Sequence, residues 1–100
     1  MIKIKLKPYE VVKYEKDYDF SGRNGVILRD IKTNKEYAEI VPTKWKETYF
    51  WMITSQNGEV EYSKEFKSIK SAKLSLNKKL KKVGYILLTE EQYEKMAILI

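Results

Sequence analysis

The residues with the clearest chemical potential are carboxylates in the first third of the chain. Asp17 and Asp19 would lie on the same side of an extended segment, because side chains alternate along a strand. A carboxylate pair beside a lysine can bind Mg²⁺ and cleave a phosphodiester. The other acidic candidates are Glu10, Glu15 and Asp30. No acid–x–lysine strand motif accompanies the aspartate pair, so a solvated acidic loop is the preferred interpretation.

The sequence lacks the side chains that most often act in catalysis. The sequence has no cysteine and no histidine, which excludes disulfides and removes the commonest acid–base group and metal ligand. Serine and threonine are weak nucleophiles without a base beside them. The four glycines are expected at turns, and their spacing forms no phosphate-binding loop. We therefore expect a non-catalytic protein with no catalytic residue, no metal site and no cofactor.

Length and patterning indicate one small folded domain. The chain has 100 residues, of which 43% are apolar and 13% aromatic, and this suits a single domain over residues 1–100. No apolar run approaches the roughly 20 residues that a membrane-spanning helix needs. The start, MIKIKLK, lacks the apolar block of a signal peptide. We expect a cytoplasmic protein with no membrane partner.

Positive charge is concentrated in residues 67–82. This segment contains seven lysines and no acid, so it carries +7, whereas the whole chain carries +6 and the remainder −1. On a helical wheel Leu74 lies opposite the apolar stripe, and Lys73 and Lys79 lie at the stripe's borders, where long side chains can reach over the core edge. The outward lysines are Lys70, Lys78, Lys81 and Lys82.

Such a face is suited to binding phosphate. Lysine arrays neutralise the nucleic-acid backbone with an affinity that depends strongly on salt and little on sequence. No arginine or glutamine lies mid-face, and Asn77 lies at the flank, so we predict contact with the DNA or RNA backbone without base readout. The alternative is a solvated face whose lysines complement the helix dipole. The absence of acids favours binding, because ordinary surface helices mix both charges.

The element that must position these lysines is a predicted helix over residues 69–83. Ser68 is a suitable N-cap, and Gly84 is a suitable C-cap. The residues of its apolar stripe are Ile69, Ala72, Leu76, Leu80 and Val83. A capping box from Thr89 to Gln92 predicts a second, shorter helix over about 90–99.

A first hairpin is predicted over about 26–41. A three-residue loop at 33–35 would pair Lys32 with Glu36 and Arg29 with Glu39. We prefer this register to a two-residue loop, because it places opposite charges across the strands, and opposite charges stabilise a sheet.

A second hairpin is predicted over about 48–66, because Asn57-Gly58 is a strong turn signal. With a two-residue turn, one face is apolar and should join the core. The predicted core-facing pairs are Tyr49–Phe66, Trp51–Lys64 and Ile53–Tyr62. The predicted outward pairs are Phe50–Glu65, Met52–Ser63 and Thr54–Glu61.

Shorter strands complete the predicted architecture. Residues 2–6 alternate apolar side chains with lysines, which is typical of an edge strand, and residues 10–14 and 85–88 read as further strands. We predict an α+β fold. Its antiparallel sheet would have four to six strands, with a main helix and a short C-terminal helix packed on it.

The order of elements in residues 49–80 resembles a known DNA-binding module. An aromatic strand, an Asn-Gly turn, a second strand and a lysine-bearing helix are similar to the three-strand-plus-helix unit of AP2 domains and integrase arm-binding domains. The resemblance covers about a third of the chain. It implies a sheet that enters the major groove with the helix behind it. The predicted outward face has Glu61 and Glu65 and no arginine, so we transfer no contact residue from these families.

A second interpretation is a protein-binding surface. Phe50 and Met52 lie on the predicted outward hairpin face, and Leu74 lies among the lysines. Aromatic residues and methionine are enriched in interface cores. The competing interpretation is that the first half of the chain covers this face. In size and composition the chain is similar to inhibitors encoded by phages or mobile elements, including anti-CRISPR proteins. The alternative function is therefore a host-defence antagonist that docks on a host nucleoprotein complex.

Overall fold

The fold consists of seven short strands and two helices within residues 3–14 and 22–98, the part of the chain that the computed structural model describes. In chain order these are β1 (Lys5–Leu6), β2 (Glu10–Lys13), β3 (Asn24–Arg29), β4 (Glu36–Pro42), β5 (Tyr49–Thr54), β6 (Val60–Tyr62), α1 (Ile69–Lys82), β7 (Ile86–Leu87) and α2 (Glu90–Ile98). None of the helices in this described part is long and apolar enough to cross a bilayer.

Five strands form an antiparallel sheet in the order β2–β3–β4–β5–β6, and α1 packs against β4 and β5 on one face. Alternate side chains of the strands face the helix, as the period of two requires. The shared core contains Val26, Leu28, Ile40, Trp51, Ile53, Ala72, Leu76 and Leu80. The predicted α+β class is confirmed, with its antiparallel sheet, main helix and short C-terminal helix.

The first strand departs from the predicted antiparallel arrangement. β1 pairs in parallel with β7, with Leu6 opposite Leu87. On its other side β1 exchanges backbone hydrogen bonds with residues that follow β3, since Ile31 N donates to Lys5 O over 3.1 Å. Local sequence could not reveal this pairing, because it joins segments that lie far apart along the chain.

Both helices begin at the predicted caps. The Ser68 hydroxyl accepts a hydrogen bond from Ser71 N over 3.1 Å, which satisfies one of the free amides at the start of α1. Gly84 adopts a φ of 85°, the left-handed conformation that ends a helix, and Tyr85 N then donates to Leu80 O. The first turn of α2 is closed by reciprocal bonds between Thr89 and Gln92 over 3.0 and 3.1 Å, as in a capping box.

The predicted register of the first hairpin is wrong. Arg29 lies opposite Glu36 instead of Glu39, and the connecting loop is longer, over residues 30–35. The cause is Asp30, whose carboxylate accepts hydrogen bonds from Lys32 N (3.1 Å) and the Thr33 hydroxyl (3.0 Å). Those bonds fold Lys32 into a turn, so it cannot pair with Glu36. Cross-strand charge still matters, because the Arg29 guanidinium lies 3.2 Å from Glu36.

The second hairpin is shifted by one residue from its predicted register over most of its length. Gly58 has a φ of 91°, and its amide donates to Ser55 O over 3.0 Å, so the loop has three residues, 56–58. The observed pairs near the loop are Met52–Tyr62, Ile53–Glu61 and Thr54–Val60. The predicted pair Tyr49–Phe66, at the far end of the hairpin, is present. A one-residue shift moves a strand's side chains to the opposite face. Glu61 therefore lies on the helix side, and Tyr62 lies on the outer face.

Candidate nucleic-acid interface

Helix α1 is held along both of its sides. On one side the Lys73 ammonium lies 4.6 Å from the centre of the Tyr9 ring, and the Tyr9 hydroxyl donates a hydrogen bond to Asn77. On the other side the Lys79 ammonium lies 2.8 Å from the Glu61 carboxylate. These contacts fix how the helix is rotated about its axis, and they occupy the two border lysines.

The outward side of α1 carries the lysine face, which we define as Lys70, Lys78, Lys81 and Lys82. All four side chains are exposed. Within residues 3–14 and 22–98, no carboxylate lies within salt-bridge distance of any of them. The sequence prediction that these lysines share one side of a helix therefore agrees with their exposure. Lys79, at the border of the apolar stripe, does have a carboxylate partner in Glu61.

The lysine face is long enough to follow a phosphate backbone. At a rise of 1.5 Å per residue, Lys70 and Lys82 are separated by about 18 Å along the helix axis. Leu74 lies between them and is 60% exposed. The basic residues Lys79, Lys81 and Lys82 lie in the last turn of α1 and complement the negative end of the helix dipole. Within the lysine face this local role accounts for Lys81 and Lys82 but not for Lys78, or for Lys70 in the first turn.

Burial raises the pKa of the Tyr9 hydroxyl to about 12, and the hydrogen bond to Asn77 acts against this shift. The ring is therefore neutral at physiological pH. A neutral ring held by a partly buried hydrogen bond is a suitable platform for the cation–π contact with Lys73. Tyr9 thus serves the site indirectly, by fixing one border of the lysine face.

The outer face of the sheet carries the second predicted surface. Phe50 and Met52 are half-buried and lie opposite Val41 and Glu39 on β4, on the side of the sheet away from α1. Tyr62 joins them because of the shifted register. Tyr62 is 63% exposed, and its ring lies 6.3 Å from the Phe50 ring, centre to centre. Glu61, which the sequence placed on this face, lies instead beside α1.

The loop between β4 and β5, residues 43–48, contains a residue that the sequence analysis missed. Trp45 is 63% exposed and adopts a φ of 64°, which is unusual for a bulky side chain. Its neighbours are Lys44 and Lys46. The sequence signal that could have found it is an aromatic residue between two lysines, outside every apolar stripe.

The loop 43–48 is attached to the segment that leads into α1. The Glu65 carboxylate accepts a hydrogen bond from the Thr48 hydroxyl over 2.8 Å and lies 3.3 Å from the Lys46 ammonium. These two contacts hold the pKa of Glu65 below its usual range, and the hydrogen bond from Thr48 has the larger effect. Glu65 is therefore an anion that fastens the loop to this segment.

The acidic candidates do not assemble within the part of the chain that the structure describes. Glu10 forms an ion pair with Arg29 at 3.1 Å, and buried Asp30 organises the loop that follows β3. Glu15, Asp17 and Asp19 lie outside the described residues. Among the described residues, no group of three or more acids is placed to hold a metal ion.

Comparisons with known proteins supply no relative from which a function could be transferred. No family model, no curated protein and no solved structure matches the chain. The resemblance to AP2 and integrase arm-binding modules therefore stays a prediction, and the interpretation of the site depends on its geometry.

Proposed function

We propose that this chain is a small non-catalytic protein that binds DNA or RNA in the cytoplasm through the phosphate backbone. One observation carries the proposal. Four exposed lysines line the outward side of α1 with no described carboxylate at salt-bridge distance. The flanking Lys73 and Lys79, by contrast, are engaged by Tyr9 and Glu61. A ridge of unneutralised cations is the electrostatic pattern that polyanions bind.

The same face argues against sequence readout. Bases are usually read by arginine, asparagine or glutamine side chains that reach a groove. The lysine face contains none of these, and the neighbouring Asn77 accepts a hydrogen bond from Tyr9. Binding should therefore be similar for oligonucleotides of different sequence. It should weaken steeply with salt, because each neutralised phosphate releases condensed counterions.

The decisive experiment measures oligonucleotide affinity over a series of salt concentrations. If four phosphates are neutralised, the slope of log K against log salt should be about −3.6 on duplex DNA and about −2.8 on a single strand. A variant with Lys70, Lys78, Lys81 and Lys82 all replaced by glutamine should lose most of the affinity and most of the slope.

The matched control replaces four exposed lysines elsewhere, and these are Lys3, Lys5, Lys13 and Lys32. It changes the net charge by the same amount but leaves the α1 face intact. If that face is the contact, this variant should retain most of the slope of log K against log salt. Equal losses in both variants would show that only net charge matters. Absence of any binding by the unmodified chain at low salt would reject the proposal.

A second candidate function is an inhibitor from a phage or mobile element that docks on a host nucleoprotein complex. The observation that favours it is the apolar group of Phe50, Met52 and Tyr62 on the sheet face opposite α1. Apolar groups of this kind, half-buried or exposed, are common in protein interfaces. Met52→Glu should abolish recovery of a specific partner from nuclease-treated lysate, whereas Thr54→Glu at the end of the same strand should not. Equal recovery with both variants would count against this candidate.

A further inference from the structure

The last turns of α1 and the strand β7 flank a pocket that adjoins the lysine face. Its volume is about 390 Å³, within the roughly 300–1,000 Å³ that is usual for small-molecule sites. The described residues that line it are Asn77, Leu80, Lys81, Tyr85, Ile86 and Leu87. Most of these side chains are apolar or aromatic, and Lys81 is the charged one among the six. A mainly apolar cavity with a few polar groups is the usual form of a site for an organic ligand.

Contacts within the fold fix the walls of this pocket. The left-handed turn at Gly84 follows α1, and Tyr85 N then donates to Leu80 O over 2.9 Å, which joins the strand wall to the helix wall. The Tyr85 hydroxyl donates to Thr54 O over 3.0 Å, and β7 is itself paired with β1. Because these bonds hold the walls in one arrangement, little conformational entropy is lost when a ligand enters.

Two polar side chains of the pocket can donate hydrogen bonds to a ligand. The Asn77 side-chain oxygen accepts the hydrogen bond from Tyr9, which leaves the amide nitrogen as a donor, and the described residues supply no acceptor for it. Lys81 is exposed, and in the described part of the chain no carboxylate lies within salt-bridge distance of it. The pocket therefore suits a ligand that combines an apolar body with hydrogen-bond acceptors and a negative charge.

Lys81 belongs both to the pocket and to the lysine face. It follows Lys78 by three residues, so the two side chains are neighbours on the helix surface. A nucleotide combines groups in the same way, because its flat base has acceptors along the edge and is joined through a sugar to a phosphate. A strand whose phosphates lie along the lysine face can therefore place a base in the pocket while its backbone stays on the lysines.

We infer that the pocket takes one unpaired base of a single-stranded nucleic acid, with the adjacent phosphates held by Lys78 and Lys81. This inference rests on the proposed function and adds the ligand class. A base in a duplex is paired and stacked, so it would have to be flipped out before it could enter, and this costs free energy. The pocket selects no particular base, because every base has an edge acceptor to which the Asn77 amide can donate.

The test compares two single strands of equal length, a thymidine oligonucleotide and an abasic oligonucleotide with the same sugar–phosphate backbone. Both carry the same charge, so the lysine face alone should bind them equally. With a base in the pocket, the unmodified chain should bind the thymidine strand roughly tenfold more tightly, as expected when one base gains a protein contact. The slope of log K against log salt should be similar for the two strands, because their phosphates are the same. Fluorescence anisotropy at several salt concentrations measures both quantities.

Ile86→Trp tests whether this pocket is responsible. The larger side chain should occupy the pocket, so the affinity for the thymidine strand should fall to that for the abasic strand, which should itself change little. Val11→Trp is the control, since it enlarges an exposed side chain on β2 and should leave both affinities unchanged. If circular dichroism shows that Ile86→Trp does not fold, the comparison of the two strands on the unmodified chain decides the inference.

The outcomes separate the pocket inference from the proposed function. Equal affinity of the unmodified chain for the thymidine and abasic strands, with the lysine-face variant weakened for both, would overturn the inference and leave the proposed function standing. No binding of either strand by the unmodified chain would reject the proposed function itself. Thymidine monophosphate that bound as tightly as the oligonucleotide would identify a site for free nucleotides and would also overturn the inference.

Discussion

The Lys79 ammonium lies 2.8 Å from the Glu61 carboxylate, and this ion pair joins α1 to the edge strand β6. The two side chains are 32% and 53% exposed, so the pair contributes at most about 1 kcal/mol to stability. Its larger effect is electrostatic. Glu61 places a negative charge beside the lysine face and neutralises Lys79 at its border.

We therefore expect Glu61→Gln to strengthen oligonucleotide binding. The substitution releases Lys79 and removes a carboxylate, so affinity at low salt should rise about two- to fivefold, and the salt slope should become more negative by up to about 0.9. Fluorescence anisotropy over a salt series measures both quantities. Glu59→Gln is the matched control, since it makes the same charge change at an exposed residue directly after the 56–58 loop. An equal gain in that control would show that net charge alone is responsible.

Trp45→Gly and Trp45→Ala should differ in stability. Alanine retains the left-handed strain at a φ of 64°, whereas glycine relieves it. The glycine variant should have the larger free energy of unfolding, by about 1 kcal/mol, even though both variants lose the indole. Urea denaturation of the two variants measures the difference. A glycine variant no more stable than the alanine variant would show that the loop relaxes and that the left-handed conformation at residue 45 carries little strain.

Gly25→Ala should destabilise the sheet. A Cβ at this position would meet the Ile40 carbonyl oxygen and come within 2.7 Å of the Tyr14 ring. The backbone carbonyl cannot move aside without breaking the β3–β4 pairing, so we expect a loss of about 1–3 kcal/mol. Thermal or urea denaturation measures it. Asn24→Ala, at the exposed neighbouring position, should change the stability by less than about 0.5 kcal/mol.

Alkaline pH should destabilise the chain partly through Tyr9. Its pKa is raised by burial from 10.0 to about 12, so the folded state retains a proton that the unfolded state has already lost. Stability from this group is complete below pH 10.0 and is lost as pH rises from 10.0 towards about 12. Tyr9→Phe removes the titrating group, so its stability should decline less over this range in urea titrations. Tyr62→Phe, at an exposed ring, is the control and should decline like the unmodified chain.

The parts of the fold that depend on local sequence could be predicted. Ser68, Gly84 and the Thr89–Gln92 box set the helix ends through contacts within a few residues, and the stripe around Leu76 decides which side of α1 is buried. The same local reasoning placed the four outward lysines correctly, because a helical wheel needs only the sequence and the helix period.

The errors come from turn residues whose bonds or backbone conformation compete with the predicted strand pairing. The Asp30 carboxylate bonds the backbone of the following loop, and Gly58 takes a left-handed turn, so both hairpins have longer loops than charge pairing or the Asn-Gly signal suggested. The one-residue shift in the second hairpin then decided two contacts in and near the candidate surfaces. It brought Glu61 to Lys79 and Tyr62 to Phe50, and neither contact follows from the predicted register.

The pairing of β1 with β7 imposes an order on folding during synthesis. Leu6 is fully buried, and its strand bonds on one side to residues 29–31, which leave the ribosome early, and on the other to residues 86–88, which leave late. In a nascent chain, β1 can therefore pair with residues 29–31 along one edge before its second edge has a strand to pair with. Until α1 and β7 emerge, the Leu6 side chain and one edge of β1 remain exposed. This is the stage at which a chaperone would bind the growing chain.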